Sequence, residues 1–143
     1  MDNKNETLII NLRKLYEQYG YKKISLPTFE EYDLYSEYRD FIKSEKILTL
    51  MTPEGKLEAL RPDITLSVAK KVAKDKNIKS EKIYYVENIY RFSKMNGYKE
   101  KRQLGIELIG TETEFLNYEI TNLALKSLQE INQNYILAFS HVG

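Results

Sequence analysis

Apolar residues recur at Leu8, Ile9, Leu12, Leu15, Tyr16 and Tyr19, the spacing of one helical face, and predict a helix over residues 6–19. Gly20 follows, where a helix end favours a residue that tolerates positive φ. Lys22 to Leu26 reads as a short strand stopped by Pro27. Residues 28–46 are rich in Tyr, Glu and Asp with weak periodicity; they read as a long connection holding one irregular helical turn. The runs KILTLM (46–51) and KLEAL (56–60) flank Thr52-Pro53-Glu54-Gly55, which predicts a hairpin. Arg61-Pro62-Asp63 breaks its second strand. Ile64, Val68 and Val72, with Ala69 and Ala73 beside them, predict a helix over 64–74 whose outer surface carries Lys70, Lys71 and Lys74.

Lys82 to Phe92 is dense in β-branched and aromatic residues and predicts a long strand. Asn96-Gly97 is a turn signal, and residues 100–110 return as a second strand. Leu116, Ile120, Leu123, Ala124, Leu128 and Ile131 predict a long amphipathic helix over 113–131, and YILAF (135–139) a last strand. Hairpins interleaved with helices argue for an α+β fold, a largely antiparallel sheet flanked by helices. There is no internal repeat or Gly/Ser linker, and 143 residues fit one domain spanning 1–143.

Composition narrows the chemistry. With 22 Lys+Arg against 21 Asp+Glu, no large basic field draws the whole domain to nucleic acid. The absence of cysteine excludes disulfides, thiolate zinc sites and cysteine nucleophiles. A single histidine, His141, makes a His-rich metal site or a Ser-His-Asp triad a poor fit. Nothing approaches 18 uncharged apolar residues, and Met1 to Glu6 has no signal-peptide pattern, so the expectation is a soluble cytoplasmic protein with no membrane partner. Neither G-x-x-x-x-G-K-[ST] nor G-x-G-x-x-G occurs, and no cofactor is expected.

The most informative segment is Gln103-Leu104-Gly105-Ile106-Glu107-Leu108-Ile109-Gly110. In a strand, Leu104, Ile106 and Leu108 form one apolar row, which must face a helix layer, and Gln103, Gly105 and Glu107 form the other. Gly105 leaves a gap in the polar row, and a strand glycine can mark close approach of a ligand to the backbone. A carboxylate and an amide flanking that gap would suit a cationic amine and a hydrogen-bonding ring. On spacing alone the plainer reading is an ordinary half-wetted strand, ahead of the ligand floor, with a partner interface third. Arg91, near the end of the outgoing strand, suits a carboxylate or phosphate through its planar fork, or is a surface residue paired with a nearby acid. Asp63 is a helix N-cap or, with Thr65, part of a binding wall. The Tyr-rich residues 32–38 read as a coat over the sheet or a contact surface.

At Leu60-Arg61-Pro62-Asp63-Ile64-Thr65, Ile89-Tyr90-Arg91-Phe92 and Gln103 to Gly110, the chain resembles the histidyl-tRNA synthetase catalytic core of class II. The opening helix with Tyr19-Gly20-Tyr21 and Pro27 resembles the motif 1 region, and residues 83–109 resemble motif 2. The resemblance covers almost the whole chain and implies a partial class II core. It extends to two kinds of protein: the synthetase itself and its paralogue, the regulatory subunit of ATP phosphoribosyltransferase. Asp63 and Ile64 where synthetases usually carry Glu and Gly, Ser93 where motif 2 has an adenine-contacting Glu, a short turn at Lys94 to Lys99, and the closing Ser140-His141-Val142-Gly143 favour the paralogue.

By position, the resemblance assigns Asp63, Thr65, Gln103 and Glu107 to a histidine site and Arg91 to a carboxylate or anion, with no catalytic or metal-binding residue. It implies a non-enzymatic subunit that binds histidine for feedback control of histidine biosynthesis. Its partners would be the phosphoribosyltransferase catalytic subunit and a second copy of itself, a homodimer within a hetero-oligomer. The alternative is a fragment of the ligase, which activates histidine with ATP and transfers it to tRNA. In either case the chain is expected to stop before motif 3 and to hold about half of a ligand site.

Overall fold

The computed structural model describes residues 3–38, 46–73, 80–110, 113–138 and 140. The elements, in chain order, are α1 (Asn3–Gln18), β1 (Lys22–Lys23), β2 (Phe29–Glu31), α2 (Asp33–Ser36), β3 (Leu48–Met51), β4 (Leu57–Leu60), α3 (Thr65–Ala73), β5 (Ser80–Ser93), β6 (Gly97–Gly110) and α4 (Glu114–Ile131). They form two three-stranded sheets, ordered β1-β5-β6 and β2-β4-β3. Two compact units emerge: one of Met1–Lys22, Lys79–Tyr84 and Ile106–Gly143, the other of Lys23–Ile78 and Tyr85–Gly105. Among the described residues, no helix is long and apolar enough to cross a membrane.

The first unit is built on α1 and α4. The α1 helix ends as its sequence predicts: Gly20 has φ 80°, its N–H donates to the Glu17 carbonyl at 3.0 Å, and Tyr21 N–H reaches back to the Tyr16 carbonyl at 3.0 Å. That pair of bonds satisfies carbonyls the helix would otherwise strand. Thr113 caps α4 in extended conformation, its Oγ1 accepting the Leu116 N–H at 3.2 Å. Leu12, Tyr16 and Leu123 are buried. The Tyr16 and Ser127 hydroxyls lie 3.1 Å apart, Lys126 Nζ donates to Tyr19 Oη at 2.6 Å, and Tyr84 Oη donates to Glu17 Oε1 at 2.6 Å. Tyr21 is buried beside Glu119, and burial followed by that carboxylate pushes its phenol up to about 12.

In the second unit β4 is central. It pairs antiparallel with β3, Thr49 opposite Ala59, and with β2, Glu30 opposite Ala59. The predicted hairpin turn closes through Gly55, with φ 80°. Tyr35 of α2 is fully buried among Ile47, Ala59 and Leu66, with its hydroxyl 3.3 Å from Ser67 Oγ. Burial is the main cause that raises its phenol to about 12.

Three expectations change. The connection over residues 28–46 contains an ordered strand, β2, because Phe29 to Glu31 finds a ladder partner in β4. Its helical turn is α2, and residues 39–45 lie outside the described residues. YILAF is not a strand over its described residues 135–138; Ile136 is 93% exposed, and an apolar run without a ladder partner has nowhere to place its backbone bonds. The contrast expected along Gln103 to Ile109 is absent too, because both rows are half-buried.

Candidate functional site

The site begins where β4 stops. Pro62 has no N–H and cannot extend the ladder, so the chain turns at Arg61. Arg61 is 1% exposed, and its guanidinium points inward. Its Nη1 donates to the Leu26 and Pro27 carbonyls at 3.0 and 2.6 Å. Its Nη2 donates to the Asn88 carbonyl at 2.8 Å and to Glu87 Oε2 at 3.1 Å, and its Nε also reaches Asn88 at 3.2 Å. The other Glu87 oxygen accepts Leu26 N–H at 3.3 Å. The main chain joins the same knot: Arg61 N–H donates to Thr28 and Tyr90 N–H donates to Arg61, both at 2.9 Å. A buried cation is tolerable here because each direction of its fork meets an acceptor.

That knot positions the sequence-predicted residues that follow it. Asp63 Oδ1 accepts the Thr65 N–H at 2.8 Å, a side-chain turn that launches α3. Its Oδ2 lies 3.5 Å from Arg91 Nη2, while Arg91 Nε donates to the Pro62 carbonyl at 2.8 Å. Asp63, Thr65 and Arg91 therefore come together. Of the two readings of Asp63, the one seen here is the structural one: it tethers the start of a helix, and it also pairs with a cation. Arg91 remains 44% exposed, so this pair fixes geometry and adds at most about 1 kcal/mol.

On β6, Gln103 Nε2 donates to Tyr85 Oη at 3.3 Å. The gap left by Gly105 is real, but it is filled from within the chain. A Cβ built on Gly105 would fall 2.6 Å from Tyr85 Cζ and closer still to Tyr85 Oη. The glycine thus makes room for a phenol on the neighbouring strand, and an amide holds that phenol from one side. Glu107 lies further along β6, half-buried, in the first unit. Gln103 belongs to the second unit and is engaged with Tyr85.

Beside Arg91 lies a cleft of about 240 Å³ lined by Lys46, Ile89, Arg91, Phe92, Ser93, Asn96, Lys99 and Lys101. Four cations and two apolar side chains face this space, and no carboxylate lines it among the described residues. Such a cleft attracts a carboxylate or phosphate and gives it a flat apolar wall.

Four parts of this arrangement were not assigned from sequence: the Arg61 knot, the Tyr85 phenol, and the contributions of Lys46 and of Lys99 with Lys101. For Lys99 and Lys101 a signal existed, since residues two apart on a strand share a face. For Arg61 the only signal was its place before a proline at a strand end.

The fold and the Arg-Pro-Asp, motif 2 and Gln-x-Gly-x-Glu segments it carries are those of a class II aminoacyl-tRNA synthetase-like core, in part. A family model described as histidyl-tRNA synthetase matches residues 2–143. The histidine–tRNA ligase of Methanococcus maripaludis is 34% identical over 146 residues, covering 98% of this chain and 35% of that protein. The ATP phosphoribosyltransferase regulatory subunit of Ruminiclostridium cellulolyticum is 29% identical over 124 residues, covering 84% of this chain and 30% of that protein. A solved structure from Bacillus halodurans, described as an ATP phosphoribosyltransferase regulatory subunit/histidyl-tRNA synthetase, has a TM-score of 0.76 at 28% identity, covering 89% of this chain and 34% of that one. The chain belongs to the histidyl-tRNA synthetase family. It spans about a third of the length of the relatives it matches.

Proposed function

We propose that residues 1–143 are part of one class II-like domain of an ATP phosphoribosyltransferase regulatory subunit, and that this domain binds free histidine without activating it. Asp63, Thr65, Gln103 and Glu107 would contribute to the histidine site, with Arg91 taking the carboxylate or another anion. The observation that carries this reading is Ser93. It lines the cationic cleft with a hydroxyl where the synthetase motif has a carboxylate for the adenine amine. Without that acceptor the cleft keeps its attraction for an anion and loses a means of selecting adenine. Histidine would act by binding one conformational state of the assembly more tightly than another, which sets the coupling to the catalytic subunit.

The test uses the longest polypeptide that contains this chain. Calorimetry should show histidine binding that Glu107→Ala largely abolishes, with no histidine-dependent ATP–pyrophosphate exchange. Robust exchange would overturn the regulatory reading, and equal heats from wild type and variant would remove Glu107 from the site. A second reading, a portion of a histidine–tRNA ligase, draws on the same cleft: Lys46, Arg91, Lys99 and Lys101 around one small space suit a nucleotide's phosphates.

A further inference from the structure

The near-neutral net charge conceals a separation of charge within the second unit. Residues 29–38 carry Glu30, Glu31, Asp33 and Glu37 and no cation, whereas residues 94–102 carry Lys94, Lys99, Lys101 and Arg102 against one acid, Glu100. The acidic stretch borders the larger cavity, about 470 Å³, between α2 and α3. Leu34, Leu66, Ala69 and Ala73 are its apolar lining, and Glu31, Asp33 and Glu37 outnumber the one cation that also lines it, Lys70. Those three carboxylates are exposed, and none is in an ion pair among the described residues; the nearby Lys70 is held by Glu30 at 3.1 Å. The basic stretch is the β5–β6 hairpin tip. Met95 there is 92% exposed and Tyr98 77% exposed, with lysines 94 and 99 beside them. Large apolar side chains left in water and rimmed by one sign of charge mark an interaction surface.

We infer that the hairpin tip of one copy docks into the α2–α3 groove of a second copy, Met95 meeting the apolar lining and Lys94 and Lys99 meeting Glu31, Asp33 and Glu37. The argument for a second copy as occupant is complementarity: the chain carries both an apolar groove with an excess of acids and an apolar knob with a basic rim. The contact is heterologous, joining two different patches, so it extends an assembly in one direction unless the ring closes. It uses Lys99, which also lines the cleft beside Arg91, but it does not rest on the histidine reading.

The absence of cysteine makes the test direct. Met95→Cys and Ala69→Cys variants of the full chain, each at an exposed position, are mixed under mild oxidation. The expected product is a disulfide-linked dimer that forms in the mixture and not in either variant alone. Glu37→Lys in the Ala69→Cys partner should lower its yield about fivefold or more, as should raising salt from about 0.05 to 0.5 M, which shortens electrostatic reach. Lys94→Glu in the Met95→Cys partner should then restore it. A yield unchanged by charge reversal, equal cross-linking of each variant alone, no cross-link in the mixture, or capture of a different protein at Ala69→Cys would each overturn the proposal.

Discussion

Replacing Arg61 by Met preserves bulk and removes the guanidinium, leaving the carbonyls of Leu26, Pro27 and Asn88 and one Glu87 oxygen without their donor. A neutral acceptor stranded in the interior costs about 1–3 kcal/mol, and deleting one partner of a buried ion pair about 3–5 kcal/mol. These costs overlap, and Glu87 is 19% exposed, so water reaches part of the vacated site. We expect Arg61→Met to destabilise the chain by about 4 kcal/mol, a large share of the roughly 5–15 kcal/mol that holds a domain of ordinary stability. Urea denaturation followed by far-UV circular dichroism reads the loss as a shift in midpoint. Lys56→Met, at an exposed position, serves as the control and should stay within about 0.5 kcal/mol. The mechanism also predicts coupling. Once Arg61 is gone, Glu87→Met should cost at least about 1 kcal/mol less than in the wild-type background, because it removes a carboxylate that has lost its counter-charge. A loss below about 1 kcal/mol for Arg61→Met, or strict additivity with Glu87→Met, would refute the buried-knot account.

Gly105→Ala should destabilise by about 1–3 kcal/mol, because its Cβ collides with the Tyr85 phenol, and Tyr85→Leu should relieve most of that cost in the same urea assay. Tyr85→Phe should relieve little, since the clash extends to Cζ. Tyr21 and Tyr35, both with phenols near 12, should make stability fall with rising pH. The unfolded chain releases these protons from about pH 10 while the folded chain keeps them, so the contribution is intact below pH 10 and is lost on approaching pH 12; it is about 2–3 kcal/mol per tyrosine, read from denaturation midpoints across that window. Tyr35→Phe should flatten the slope. Thr113→Ala should lower stability by about 1 kcal/mol through the lost cap on α4, with Thr113→Ser close to wild type; calorimetric melting checks both.

The long elements were legible because each carries its own signal. α1 has a complete apolar stripe and a glycine stop, and the β3–β4 hairpin has Pro and Gly between two β-rich runs. β5 and β6 have a turn dipeptide between them. What was not legible depended on partners distant in sequence. Phe29-Glu30-Glu31 has the composition of a loop, and it becomes a strand only because β4 offers an edge. YILAF has the composition of a strand and lacks that edge over its described residues. The candidate site divides the same way. Asp63, Thr65 and Arg91 were assigned to a site by the resemblance, while residue type and spacing left a helix cap and a surface ion pair open, and the structure brings the three together. The occupant of the space at Gly105 was not foreseen, because alternation along β6 says which residues share a face and nothing of what leans over from β5. Arg61 was read as a strand breaker, since an isolated arginine in sequence looks like surface.

The acceptors of the Arg61 guanidinium belong to residues 26, 27, 87 and 88, on either side of it in the chain. During synthesis, β2, β3, β4 and α3 all leave the ribosome before Glu87 and Asn88 do. Until those two residues emerge, the cation has only the Leu26 and Pro27 carbonyls, and no counter-charge, where the interior of the unit must close. The second unit therefore completes its folding only after about two-thirds of this sequence has been made, and a nascent chain halted at residue 73 has every strand of one sheet and no stable means of sealing it.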